Sequence, residues 1–278
     1  MRSRKKRYIF KWKNIVTFII MIICLVTLGI SVSNIFDWKM DSDDTNKQVD
    51  RIQEVVQIEE IIDSENVEII EQEEDVPEPN HYWDYIKMNL ISVSFNELKE
   101  INSQTKGWIQ VNGTNVNYPF VQASDNNYYL NHSFDKSWNS AGWVFMDYRN
   151  SIDDMDKNTI LYAHGRYDKT MFGTLRNVLT NGWLDNKNNY VIKLSSEKEN
   201  TLWQVFSVYK IPTTSDYLQV NFIDDEDFMN FADMLIDRSG YDFDTIVSKS
   251  DKILTLSTCY NDDIKTVIHA KLIKKENR

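Results

Sequence analysis

Cys259 closes the run ILTLSTC and precedes the polar stretch YNDDIK. The other cysteine, Cys24, lies in a long apolar segment near the N-terminus, so a disulfide framework is not expected and Cys259 stands as a lone thiol. Nucleophilic catalysis by such a thiol needs a route to the thiolate, a proton-transfer partner and a donor for the oxyanion that develops on the attacked carbonyl. Four histidines could move the proton. His164 ends the strand-like TILYAH and is followed by Gly165, a turn residue, which suits projection into a cleft. His81 opens a Tyr/Trp-rich helix start, His132 follows YYLN in a surface-type loop, and His269 sits inside the alternating TVIHAKLI, where a sheet-face role is the default. Residue type alone also fits a plainer reading, a small buried thiol and satisfied structural histidines. Against that, an unpaired thiol outside the cell is an oxidation liability that needs a reason.

Other chemistries have less behind them. The chain has no C-x-x-C and no H-E-x-x-H, so zinc is not expected. It has no P-loop, no G-x-G-x-x-G and no G-x-S-x-G elbow, so neither a nucleotide cofactor nor a serine nucleophile is expected. No cofactor is implied. No basic, aromatic-interleaved patch stands out in the C-terminal region, which argues against nucleic acid.

The elements that must position these residues are mostly β. WIQV, NVNYPFVQ, GWVFMDY, NTILYAH, NYVIKL, TLWQVFSVYKI, KILTLSTC and TVIHAKLIK are β-branched and aromatic runs separated by Asn, Asp, Gly and Ser, the signature of a barrel or sandwich. MFGTLRNVL and DDEDFMNFADMLIDRSG read as helical, the second with acids in its first turn. HYWDYIKMNLISV has helix-compatible spacing, and Ser94-Phe-Asn-Glu97 has the form of a capping box opening SFNELKEIN.

Charge divides the N-terminal part. Residues 1–36 carry seven Lys/Arg and no acid, whereas residues 37–80 carry 16 Asp/Glu against Lys39, Lys47 and Arg51. Ile15 to Phe36 has no charge and is long enough to span a bilayer, longer than the apolar core of a cleaved signal peptide. The expected organisation is a cytoplasmic basic tail (1–14), a single transmembrane signal anchor (15–36), an acidic extracellular stalk (37–80) and a folded domain (81–278). The stalk's apolar positions sustain no heptad, and Pro77 and Pro79 punctuate its end.

Taken together, the motifs resemble those of the class B sortases, membrane-anchored cysteine transpeptidases of Gram-positive bacteria. TLSTC (255–259) resembles the family's cysteine motif. KGWIQVNGTNVNYPFVQ (106–122), NNYYLNHSFD (126–135), AGWVFMDYRN (141–150), NTILYAHGRYDKTMFGTLR (158–176) and the C-terminal strand follow the family's order over most of residues 81–278. The resemblance implies an eight-stranded sortase-type β-barrel with N-terminal helices and a helix in the loop between strands six and seven, where DDEDFMNFADMLIDRSG stands. It implies Cys259 as nucleophile, His164 as acid/base, and Ser257 and Thr258 as substrate contacts. It further implies cleavage of a C-terminal sorting motif of secreted proteins at a Thr carbonyl, then transfer through a thioacyl-enzyme to an amine of a peptidoglycan precursor or a pilin.

Two positions depart from the family. Where an arginine opens the last strand in a pattern like R-x-V-V, this chain has Lys265-Thr-Val-Ile. Lysine keeps the charge and loses the planar fork that donates two parallel hydrogen bonds. Lys265 then serves as a less efficient oxyanion donor, or Arg166 reaches in, or the chain is impaired. YAHG (162–165) stands where the family more often has YGHN, a change that bears on the turn after His164. A hydrolysing cysteine peptidase and a sortase-derived binding or scaffold barrel are the alternative functions.

Overall fold

The computed structural model describes residues 12–61, 66–70, 81–153, 156–259 and 264–278, the side chain of Cys259 excepted. Most of the basic tail, the proline-punctuated end of the acidic segment and the turn at 260–263 lie outside the described residues.

The chain divides into two units between Asp43 and Asp44. Helix α1 (Trp12–Val55) runs through the first and ends in the second. By length and composition it is long and apolar enough to cross a membrane.

The second unit is built on eight strands: β4 (Thr105–Val111), β5 (Asn117–Val121), β6 (Phe145–Met146), β7 (Asn158–His164), β8 (Val191–Ser195), β9 (Glu199–Pro212), β10 (Ile253–Cys259) and β11 (Ile264–Asn277). They are hydrogen-bonded in the order β10-β7-β6-β5-β4-β8-β9-β11, and a further β10–β11 pairing closes the ring. The expected eight-stranded barrel is therefore what forms. Strand alternation sorts its residues between two cores. Leu161, Ala163, Leu254, Leu256, Ile268 and Ala270 fill the main core. Ile253, Val267, Tyr209 and Phe206 belong to a second, outer cluster with Phe228, Phe231, Ala232 and Leu235 of helix α5 (Asp225–Asp237). This helix lies between the sixth and seventh barrel strands, as the resemblance implies. Its N-cap Asp224 accepts from the Asp227 amide at 2.9 Å, and three acids occupy its first turn.

The smaller elements differ more from expectation. In HYWDYIKMNLISV only α2 (Tyr82–Ile86) is helical, because LISV becomes β3 (Leu90–Val93). The break is fixed from outside: Lys274 Nζ donates to the carbonyls of Ile86 and Met88. Helix α3 (Asn96–Ile101) starts after Phe95, and Ser94 meets the Glu97 carboxylate through its hydroxyl, so it does not cap a backbone amide as a capping box would. MFGTLRNVL forms a 3-10 turn (Gly173–Leu179), followed by the short α4 (Asn181–Leu184).

The acidic segment also supplies two strands. β1 (Ile58–Ile61) pairs antiparallel with β3, and β2 (Val67–Ile69) pairs antiparallel with Lys274–Glu276 of β11. β10 follows β11 only as far as Lys271, so β2 covers the backbone that β10 leaves. Ile52 is buried, and Val56, Ile58, Ile61 and Val67 pack against the main core.

Candidate active site

Closing the barrel brings the sequence-predicted residues into line. Cys259 is the register partner of His164 in parallel β7 and of Lys265 in antiparallel β11. The three positions therefore sit side by side at one end of adjacent strands, about 5 Å apart from strand to strand. Leu254 and Leu256 point into the main core, so alternation assigns positions 255 and 257 to the outer face that α5 covers.

His164 is held from two sides. Its Nε2 lies 2.7 Å from the Leu130 carbonyl, and a carbonyl only accepts, so Nε2 carries the proton in this contact. Leu130 ends a 3-10 turn (Tyr128–Leu130) that Asp125 caps by accepting from the amides of Asn127 and Tyr128. Those two amides hold the Asp125 carboxyl below its usual range. Gly142 closes over the turn at φ +60°, where a Cβ would stand 2.5 Å from the Tyr129 oxygen and 2.8 Å from the Leu130 oxygen. Beyond His164, Arg176 Nη2 donates to the carbonyls of Gly165 and Arg166, fixing the turn that departs from the family pattern.

Lys265 is half-buried at the start of β11. Arg166, the other cation considered, gives its Nε and Nη2 to Asp168 at 3.0 and 2.9 Å and is buried. Its fork is engaged by that carboxylate. Of the two expected substrate contacts, Ser257 is on the outer face and meets the Tyr217 hydroxyl at 3.0 Å. Thr258 alternates to the inner side, where its buried hydroxyl has no partner among the described residues.

Sequence reasoning missed the wall beside these residues. Segment 216–219, a 3-10 turn (Asp216–Leu218) plus Gln219, follows β9 and is held by side chains from several elements. Arg238, at the end of α5, pairs with Asp216 and holds its carboxyl at about 2. Tyr217 reaches Ser257; Arg149 Nη2 donates to the Leu218 carbonyl at 3.1 Å, and Asn158 Nδ2 to the Gln219 carbonyl at 2.8 Å. Arg149 is itself fixed by two contacts of 2.8 Å to Asp147, which is fully buried and also accepts from Tyr162 and Asn126. Burial pushes the Asp147 carboxyl up, and the hydrogen bonds from Arg149, Tyr162 and Asn126 outweigh it and hold the group below its usual range. The signal for this cluster was present in AGWVFMDYRN, where a carboxylate and an arginine two residues apart end a strand.

The remaining histidines lie apart from the line of three. His81 Nε2 meets Lys187 Nζ at 2.8 Å, and His132 stacks on Tyr128, its Nδ1 2.7 Å from the Tyr128 carbonyl. His269 is fully buried on the outer face.

A family model described as the sortase domain matches residues 109–273. The chain is 36% identical to sortase B of Staphylococcus aureus over 184 residues, which cover 65% of this chain and 75% of that protein. It is 33% identical to sortase B of Listeria monocytogenes over 183 residues, 64% of this chain and 74% of the other. Among solved structures, a Staphylococcus aureus sortase B–substrate complex superposes with a TM-score of 0.61 at 35% identity, covering 65% of this chain and 84% of that one. A sortase B complexed with triglycine also gives 0.61 at 35%, covering 65% and 85%. Sortase B from B. anthracis in complex with AAEK1 gives 0.66 at 31%, covering 84% and 99%.

Proposed function

Because this chain belongs to the class B sortases and is a sortase-type cysteine transpeptidase, we propose that it joins secreted proteins to a cell-wall or pilin amine through Cys259. The observation that carries this reading is the strand register that aligns positions 164, 259 and 265. The Cys259 thiolate attacks the carbonyl of a Thr in a C-terminal sorting motif. The C–N bond breaks, and His164 protonates the departing amine, leaving a thioacyl-enzyme. With Nε2–H held by Leu130, Nδ1 is the nitrogen that gives this proton and later takes one from the acceptor amine. Lys265 stabilises the oxyanion in both steps, and Ser257 and the backbone at Thr258 contact the substrate. The sortase B relatives solved with a substrate and with triglycine support a peptide donor and an amine acceptor. Residues 15–36 of α1 anchor the chain in a membrane, with the basic tail in the cytoplasm and the barrel outside.

A peptide-library cleavage assay, run with and without amine acceptors, tests the reading. Amide product formed at the expense of hydrolysis supports transfer, and release to water unaffected by added amine would make the protein a hydrolase. Cys259→Ala is expected to abolish the covalent adduct seen by mass spectrometry, and an adduct that persists would sink the nucleophile assignment. Failure of wild-type Cys259 to react with an active-site thiol probe would instead favour a binding barrel. Protease treatment of intact cells is expected to remove the barrel while sparing the N-terminal tail.

A further inference from the structure

Below the site, the outer face of the barrel carries a row of polar side chains under α5, where apolar groups would be ordinary. Asn158 begins β7, Thr255 lies on β10, and His269 lies opposite Thr255 on β11. All three are fully buried, a costly arrangement unless each polar atom is paired. They are paired in one chain whose directions are forced. Asn158 Nδ2 donates to the Gln219 carbonyl at 2.8 Å, which turns Oδ1 toward Thr255. The Thr255 hydroxyl spends its hydrogen on that Oδ1 at 2.7 Å and must therefore accept from His269 Nδ1 at 2.9 Å. With its proton on Nδ1, the neutral ring accepts at Nε2 from the Tyr209 hydroxyl at 2.8 Å. Burial drives the imidazole down to about 3, which keeps it in this neutral form. The Arg238 guanidinium lies beside Tyr209 and pairs with Asp216.

The chain thus begins at Gln219, crosses β7, β10, β11 and β9, and returns through Arg238 to Asp216. Both ends fall on the wall segment 216–219. Tyr217, between them, packs edge-on to His269, the ring centroids 6.4 Å apart, while its hydroxyl meets Ser257, two residues before Cys259.

We infer that His269 is a positioning residue for peptide transfer: its single tautomer sets the direction of the buried relay and thereby fixes the wall segment 216–219 beside Cys259. It touches no reacting atom. The inference rests on Cys259 being the nucleophile and on the peptide lying against this wall. Without the imidazole, Thr255 and Tyr209 each lose one partner, the Thr255 hydrogen is no longer committed to Asn158 Oδ1, and the Asn158 amide can turn and take its donor from the Gln219 carbonyl. The wall then loosens while the thiol chemistry stays intact.

The test uses the full chain in detergent, a fluorogenic peptide with Thr before its scissile bond that the wild type cleaves, and iodoacetamide as a small thiol probe. In His269→Phe, KM for the peptide is expected to rise about tenfold or more. Its kcat is expected to stay within about threefold, and the alkylation rate of Cys259 within about twofold. Asn158→Ala is expected to raise KM similarly, and the double variant to do no worse than the poorer single one, since both cut one relay. His269→Asn, which keeps a donor near the Nδ1 place, is expected to recover part of the loss. An unchanged KM, a parallel fall in alkylation, or multiplying effects in the double variant would overturn the inference. If His269→Phe does not fold, Tyr209→Phe removes only the hydroxyl, and an unchanged KM in that variant overturns it equally. Turnover that survives in Cys259→Ala defeats the nucleophile reading instead, whatever the KM of the His269 variants.

Discussion

At position 265 a lysine ammonium stands where the family resemblance implies an arginine with its planar fork. Both ions carry the charge an oxyanion needs, but only the fork holds two donors in a fixed plane, and one lost donor costs about 10²–10³ in rate. Lys265→Arg is therefore expected to raise kcat by about tenfold or more, and unchanged or lower turnover in steady-state assays would argue against Lys265 as the weak point. Arg149 allows a stability test. Arg149→Ala leaves the fully buried Asp147 carboxylate without its strongest partner, so a loss of about 3 kcal/mol is expected in denaturant unfolding. His269 adds a pH dependence. The folded ring titrates at about 3 and an unfolded histidine near its ordinary 6.5, so between these values the unfolded chain holds the extra proton. Stability should fall as pH drops from about 6.5 toward 3, and His269→Phe should flatten that slope, as read from unfolding midpoints across pH. At this scale the sequence offers candidates where chemistry would reside in side chains, and the strand register sets Cys259 and His164 side by side. The sequence was silent about the Leu130 carbonyl, because a backbone atom that orients a ring leaves no mark on residue type.

The barrel strands were readable because they are short β-branched and aromatic runs bounded by Asn, Asp, Gly and Ser, as NTILYAH and NYVIKL are. The short elements were not, because tertiary partners decide them. LISV satisfies a helical spacing equally well, and only pairing with β1 makes it a strand. Likewise, the segment 216–219 has no periodicity and is held from outside. The turn that carries Leu130 can be tested through the glycine that closes over it. Gly142→Ala forces an L-residue into a left-handed conformation against two carbonyl oxygens, which should cost more than about 1–2 kcal/mol and shift Leu130. Thermal melting reads the first effect. The activity of any folded fraction should drop with it, since His164 loses its anchor.

Across the whole molecule, the folded unit begins at Asp44, ahead of the change in composition at His81. Acidic composition hid this, because the apolar residues that matter (Ile52, Ile58, Ile61, Val67) are few and widely spaced among charges. A chain starting at residue 81 is expected to melt several degrees below one starting at residue 44, since it loses β1, β2 and the Ile52 contact. Equal melting temperatures would show that these strands contribute nothing.

Strand β11 links that N-terminal segment to the site in one further respect. β2 grips it at Lys274–Glu276, whereas Lys265 stands at the opposite end, about 30 Å away at the rise of an extended strand. A pull transmitted along residues 44–70 therefore enters the barrel at its far rim. The Ile52 contact and the β1–β3 pairing take that load before the short β2 pairing, and the β2 grip lies at the end of β11 away from Cys259, His164 and Lys265. The grip of the N-terminal segment on β11 is thus remote from positions 164, 259 and 265.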